Sequence, residues 1–395
     1  MRCPAGGART IARMAPRTLA YVSPEVLRWA RESSGLTLES AARKIQVADF
    51  RLLGAEEGED QLTLREAERA ADLYGRPLAL LFAPEPPFEE PQEVQFRRLP
   101  GAPDLPWSPE MVALARRVTE RQEAARELYD ELEEAPPWVE AATRFARADQ
   151  VALSPLARSF LGVTAEDRRS WTDRYAALRA WREAVEALGV LVMQDGSTDP
   201  AAETRGFAST SPSDVPAIVV NSQEDARARA FTIIHELGHL VLAARGERMG
   251  EEATEVWCND FAGEVVVPRA ELDEVVPPLR NRPPTEVALE VARTFGVTPL
   301  AAAVRIVRAG MVPAEDGPDL IAQLRASGSE SESERPKGGN YYRNQVTGFG
   351  AGYVRLVFAA LDSRVVTYPT ASALLDGVKV QNFDRLRAEL GPGGA

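Results

Sequence analysis

The sequence predicts an α+β fold that is predominantly α: a bundle of short helices at the N-terminus, a central domain with a small β-sheet, and a helical C-terminal region. Three observations predict it. Helical apolar spacing recurs over most of the 395 residues, the strand-like runs VLVMQ, GFAST and PAIVVNS fall within residues 190–222, and the composition is globular, 45% hydrophobic and 27% charged. This length corresponds to two or three domains at roughly 100–200 residues each. A net charge of −13 argues against non-specific binding of nucleic acid or an acidic membrane by the chain as a whole. The two cysteines, Cys3 and Cys258, make no disulfide framework and fit a reducing cytoplasm. No apolar run reaches the ~18 residues of a membrane-crossing helix, so no membrane partner is expected.

Residues 1–20 are basic without an apolar core and read as a flexible tail, with Met14 a second candidate start. Residues 21–83 contain four or five short helices. SPEVLRWARESSG (23–35) opens on Ser-Pro, and TLESAARKI (37–45) is capped by Thr37. ADFRLLGAEEG follows a turn at Gln46-Val47, TLREAERAADLYG spans 63–75, and Leu78, Leu80, Leu81 and Phe82 close an apolar strip. This succession reads as a helix-turn-helix bundle. Residues 84–109 are a proline-rich linker.

The central domain, with flanking helices, is expected over 110–312. A charged helix at 110–135 ends at Pro136-Pro137, and another covers 170–189, capped by Ser170 and stopped by Gly189. VLVMQ (190–194), GFAST (206–210) and PAIVVNS (216–222) read as strands, the last two joined by the turn SPSDV. Helices follow over 224–246, 255–268 and 285–312, the last broken at Gly296-Val297. A polar low-complexity linker lies within 313–340, and 341–395 is again mostly helical.

The chemistry is concentrated in FTIIHELGHL (231–240), which holds both histidines of the chain. Positions i and i+4 share a helix face, so His235 and His239 can present two imidazoles to one zinc ion. Glu236, one step round, can act as general base on a water activated by the metal. This is the H-E-x-x-H arrangement. Phe231, Ile234, Leu237 and Val241 supply an apolar face to pack inward.

A catalytic zinc usually has three protein ligands, and no third histidine exists. The third must be a carboxylate or a cysteine. Glu247, Glu251, Glu252, Glu255, Cys258, Asp260 and Glu264 all follow within the next helix and its approach. Glu255 stands at the expected start of that helix with Asn259 one turn on, so Glu255 can bind metal while Asn259 hydrogen-bonds a ligand from behind. Glu251 and Glu252 read as a solvated loop, and Cys258 as a small buried residue.

The combination FTIIHELGHLVL…EVWCNDFAGEVVVP, with the preceding strand AIVVNS, resembles the ImmA/IrrE family of zinc metallopeptidases. VQFRR (94–98), the short helical bundle and the E-x-G at Glu56–Gly58 resemble the Xre-type DNA-binding domain often fused to such peptidases. The resemblance implies a zincin-like central domain, zinc held by His235, His239 and Glu255, and Glu236 as the base. It implies one cut in a DNA-binding repressor after stress or a signal. It also implies DNA as a partner of the N-terminal domain and a toxin partner such as a PIN-type ribonuclease for the C-terminal region; a homodimer is a separate expectation.

The N-terminal module argues partly against DNA. Residues 21–83 carry 8 Lys/Arg and 11 Asp/Glu, and the third helix offers Arg51 against Asp49, Glu56 and Glu57. Dimerisation or partner docking is the competing role. Arg97-Arg98 and Arg116-Arg117 read as solvated charges. PAIVVNS is either a core strand or a strand that pairs with an extended substrate. A tyrosine, an arginine or the metal itself must stabilise the oxyanion. Two functions follow: a zinc-dependent endopeptidase acting on a regulator, or a transcriptional regulator or antitoxin whose zinc site is structural or idle. An intact Glu236 favours the first, because a structural site has no use for a base.

Overall fold

The computed structural model describes residues 18–87, 108–197, 204–210, 214–279, 281–313, 315–328 and 340–390. The tail before residue 18, most of the proline-rich stretch with VQFRR and Arg97-Arg98, most of the polar run at 327–340, and the last five residues lie outside the described residues. The chain divides into two compact units, Met1–Glu93 with Leu105–Ala113, and Val94–Asp104 with Leu114–Ala395.

The first unit holds β1 (Leu19–Ala20), α1 (Pro24–Glu32), α2 (Leu38–Ile45), α3 (Asp49–Glu57), β2 (Leu62–Thr63), α4 (Leu64–Tyr74) and a 3-10 turn at Leu78–Phe82. Thr37 caps α2 as expected, and Thr63 and Glu66 form a reciprocal capping box on α4. Leu27, Ile45, Leu52, Tyr74 and Leu81 fill its core. Phe82 departs from the expected apolar strip and is exposed. Glu56 is not on the outer face of α3. It is buried, and its carboxylate accepts from Arg31 Nε and Nη2 at 2.7 and 2.8 Å. Arg51 donates to Asp60 at 3.2 Å and to Glu66 at 3.0 Å.

The chain continues through α5 (Pro109–Glu131), α6 (Trp138–Arg147), α7 (Leu153–Leu161), α8 (Ala165–Arg169) and α9 (Ala176–Glu186) to β3 (Leu191–Asp195), β4 (Gly206–Ser209) and β5 (Ala217–Asn221). Then come α10 (Ala226–Ala244), α11 (Glu251–Val266), α12 (Arg269–Val275), α13 (Pro284–Phe295), α14 (Pro299–Arg308) and α15 (Gly317–Gly328). The chain ends in α16 (Tyr341–Phe349), α17 (Ala351–Asp362), α18 (Tyr368–Leu374) and α19 (Phe383–Ala388). The predicted class, α+β and mostly helical with small sheets, is the observed one.

The three-stranded sheet has the order β3-β5-β4. β5 runs parallel to β3 and antiparallel to β4, with Gly206 opposite Val220 and Ser209 opposite Ala217. β5 is therefore central, and all five of its residues are buried, as its unbroken apolar run requires. Both edges of PAIVVNS are taken, so it cannot pair with a substrate. Its neighbours β3 and β4 are the outer strands of the sheet among the described residues.

Two further expectations need correction. The helix over 170–189 begins at Ala176, because Thr164 and Asp167 form a capping box on α8 and Ser170 closes that helix. Arg116 is buried and Arg117 pairs with Asp195 at 3.2 Å, so neither is a merely solvated charge. Both lie where α5 packs against the sheet. The C-terminal helices cover β3: Gly350, at φ 88°, brings the chain so close that a Cβ there would sit 3.0 Å from the Val192 carbonyl. Arg121 secures the contact by donating to the Gly348 carbonyl at 3.0 Å and to Asp376 at 2.9 Å.

Among the described residues no single helix is long and apolar enough to cross a membrane. The pair α13 and α14 reaches the required length only together, bends by 109° at its break, and turns Val287, Val291, Phe295 and Ile306 into the core.

Candidate metal centre

The site is built on two packed helices. α10 is capped by Asp225, whose side chain accepts from the Arg227 amide, and it buries Ile233, Ile234, Leu237, Leu240 and Val241. Phe231 is half-buried: it packs against the core, as expected, and also lines the cleft. α11 starts at Glu251, a turn before the expected position, so Glu251 and Glu252 are helical and not part of a loop. Their carboxylates stand at a helix N-terminus, where they complement the backbone dipole. Glu255 falls in the second turn, facing α10.

The helices meet closely because Gly238, inside the H-E-x-x-H segment, has no side chain. A Cβ there would lie 3.2 Å from Phe261 and 3.3 Å from Cys258 Sγ. A glycine inside a helix costs about 1 kcal/mol relative to alanine, and here close approach is what it secures. The result is a triangle of donors. His235 Nε2 is 3.2 Å from Glu255 Oε2, His239 Nε2 is 3.3 Å from Glu255 Oε1, and the two Nε2 atoms are 3.2 Å apart.

These donors fit zinc. Atoms bound at about 2.0–2.1 Å to one tetrahedral ion stand about 3.3–3.4 Å from each other, close to the spacings seen. Among the described residues, His235, His239 and Glu255 form the one group of three or more such side chains close enough to share an ion. The other candidates are committed elsewhere. Glu247 pairs with Arg245 at 2.6 Å, Glu264 with Arg305, and Asp260 with Arg308. Glu251 and Glu252 are exposed.

The backing of each imidazole is also in place. His235 Nδ1 lies 3.2 Å from Asn259 Oδ1. The amide oxygen can only accept, so Nδ1 carries the hydrogen and Nε2 keeps its lone pair for a cation. Asn259 thus holds the expected place behind a ligand. Cys258 is fully buried, as expected, and its Sγ also lies 3.4 Å from His239 Nδ1, a contact the sequence did not announce.

The electrostatics follow the geometry. Burial disfavours the charged imidazole of His235, yet the contact with Glu255, helped by Glu236 and Asn259, holds its pKa above the ordinary histidine value. Burial likewise disfavours the Glu255 carboxylate, but the two histidines outweigh it and hold its pKa far below the ordinary glutamate value.

The triangle opens into a cleft of about 760 Å³. Glu236, only 6% exposed, lines this cleft beside the histidines. β4 forms a wall through Gly206, Phe207 and Ala208. Gly206 lets that strand approach α10: a Cβ there would lie 2.6 Å from Thr232 Cγ2. No tyrosine lines the cleft among the described residues, whereas Arg205 and Arg248 do.

No curated protein and no solved structure matches this chain. Residues 185–307, which contain the sheet and both helices of the site, match the family model described as the IrrE N-terminal-like domain. That match supports an ImmA/IrrE-type metallopeptidase family for this part of the chain.

Proposed function

We propose that the protein is a zinc-dependent endopeptidase that cleaves a protein substrate, a DNA-binding repressor or regulator. One observation carries the reading: an H-E-x-x-H helix and a glutamate from the next helix bring His235, His239 and Glu255 together, with a second glutamate, Glu236, beside them, on the wall of an open cleft. A structural zinc site is closed by four protein ligands. Here three converge, and they face a space large enough for a peptide.

His235, His239 and Glu255 would hold the ion, oriented from behind by Asn259. Bound there, zinc would make water a nucleophile near neutral pH and polarise the scissile carbonyl. Glu236 accepts the proton released by that water and delivers it to the leaving amine. β4 lines the cleft through Gly206, Phe207 and Ala208, where a bound substrate would lie. Among the described residues Arg205 and Arg248 are the arginines that line the cleft near the oxyanion's place, and Arg205 also pairs with Glu224 at 3.2 Å.

The test is the Glu236→Gln variant beside the wild-type protein, each zinc-loaded, incubated with the products of neighbouring genes and followed by intact mass. The expected result is unchanged zinc content with cleavage reduced about 10²–10⁴-fold. Cleavage at the wild-type rate would rule out this role for Glu236.

A further inference from the structure

Cys258 and Asn259 stand side by side on α11, three and four residues after Glu255, a spacing that keeps them near one helix face. On α10, His235, Gly238 and His239 repeat the same spacing. Asn259 meets His235, and Cys258 meets His239: its Sγ lies 3.4 Å from His239 Nδ1, within reach of an N–H···S hydrogen bond. The other nitrogen of that ring, Nε2, is the one beside Glu255 Oε1 at 3.3 Å and His235 Nε2 at 3.2 Å. The sulfur therefore stands behind a ligand. Among the described residues, Cys258 is outside the group that can share an ion. Gly238 leaves the room for it, since a Cβ there would lie 3.3 Å from the sulfur.

We infer that Cys258 is a positioning residue for the metal: its sulfur accepts from His239 Nδ1 and holds that ring with the Nε2 lone pair toward the ion. The inference rests on the zinc reading of the site and deepens it. An imidazole that gives Nε2 to a cation carries its hydrogen on Nδ1, and the partner of that hydrogen fixes the ring. A buried N–H left without an acceptor is costly. Sulfur is a weak acceptor, but it packs as an apolar atom, and Cys258 is 0% exposed, so one side chain serves both the core and the ring. Cys258 does not line the cleft, so it reaches the reaction only through His239. The segment from Glu255 to Asn259 thus supplies one ligand and the backing of the other two.

Two measurements on the full chain test this: zinc competition with a chromophoric chelator, and long-range proton–nitrogen spectra of the imidazoles, to which this chain contributes two histidines. Cys258→Val fills the place of the sulfur without an acceptor. It should weaken zinc about 10–100-fold and shift the His239 Nδ1 signal, with the His235 signals unmoved. Cys258→Ser keeps an acceptor in a smaller side chain and should bind zinc more tightly than the valine variant. Packing alone predicts the reverse order, because valine fills the core and serine leaves a void. If the valine variant does not fold, Cys258→Ala takes its place, and serine should again bind zinc more tightly. Wild-type affinity with unmoved His239 signals in the variants, or serine binding zinc no better than valine and alanine, would overturn the inference. Wild-type protein that binds no zinc would instead remove the metal reading beneath it.

Discussion

At the scale of single residues, the site depends on what stands behind each ligand as much as on the ligands. Asn259→Ala should weaken zinc binding about 10–100-fold, because His235 loses the acceptor that fixes its tautomer and ring. Competition with a chromophoric chelator reads this directly, and wild-type affinity in the variant would deny Asn259 its role. Gly238→Ala brings a methyl to 3.2 Å from Phe261 and 3.3 Å from Cys258. Overpacking of this kind costs about 1–3 kcal/mol, seen as a lower urea midpoint, and it should push Glu255 away from the histidines and weaken metal binding as well. The metal-free site also has a pH signature. Glu255 ionises well below its ordinary 4.5 and His235 titrates above its ordinary 6.5. The depressed carboxylate stabilises the fold above pH 4.5 and loses that contribution as pH falls. The raised imidazole stabilises it below pH 6.5 and loses that contribution as pH rises through its folded value. Metal-free protein should therefore gain stability from this pair mainly between those limits, whereas zinc should stabilise most above them, where protons no longer compete for the imidazoles. Thermal melts against pH, with and without chelator, check both signs.

At the scale of elements, the metal helix was legible because its pattern is dense: two histidines at one helical turn, a glutamate, and apolar residues at the spacing of a buried face. Glu255 was legible through its helical spacing from Asn259. The strand β4 was legible in GFAST, but its outer position was not, because that follows only from the order β3-β5-β4. Gln122, which donates from α5 to the Val215 carbonyl at 2.8 Å, sends no signal in a charged helix. The helices α6 and α7 went unmarked, although Trp138, Phe145, Leu153 and Leu161 belong to the main core. In the N-terminal bundle, Arg31 pairs with a Glu56 whose side chain is 1% exposed. Arg31→Met leaves that carboxylate buried and alone, and should cost about 3–5 kcal/mol in a urea titration of the full chain. The outer face of α3 presents Asp49, Phe50, Leu53 and Glu57, with Arg51 engaged by Asp60 and Glu66. Such a face offers phosphates little, so the full-length protein should bind duplex DNA no tighter than the non-specific range of about 10⁻⁴–10⁻⁶ M at physiological salt. Nanomolar binding to its own promoter in a gel shift would contradict that and restore operator reading.

At the scale of the whole molecule, the sheet of the second unit explains why the chain extends beyond the metal helices. C-terminal helices cover β3, α5 staples the β4–β5 hairpin, and β4 lines the cleft together with His235 and His239. The central claim is the ligand set, and X-ray absorption at the zinc edge tests it most directly. Zinc-loaded protein should show one ion per chain, with two imidazole nitrogens and oxygen neighbours at about 2.0–2.2 Å and no sulfur. A sulfur neighbour at about 2.3 Å, which would bring Cys258 into the shell, or less than stoichiometric zinc after loading, would contradict the account.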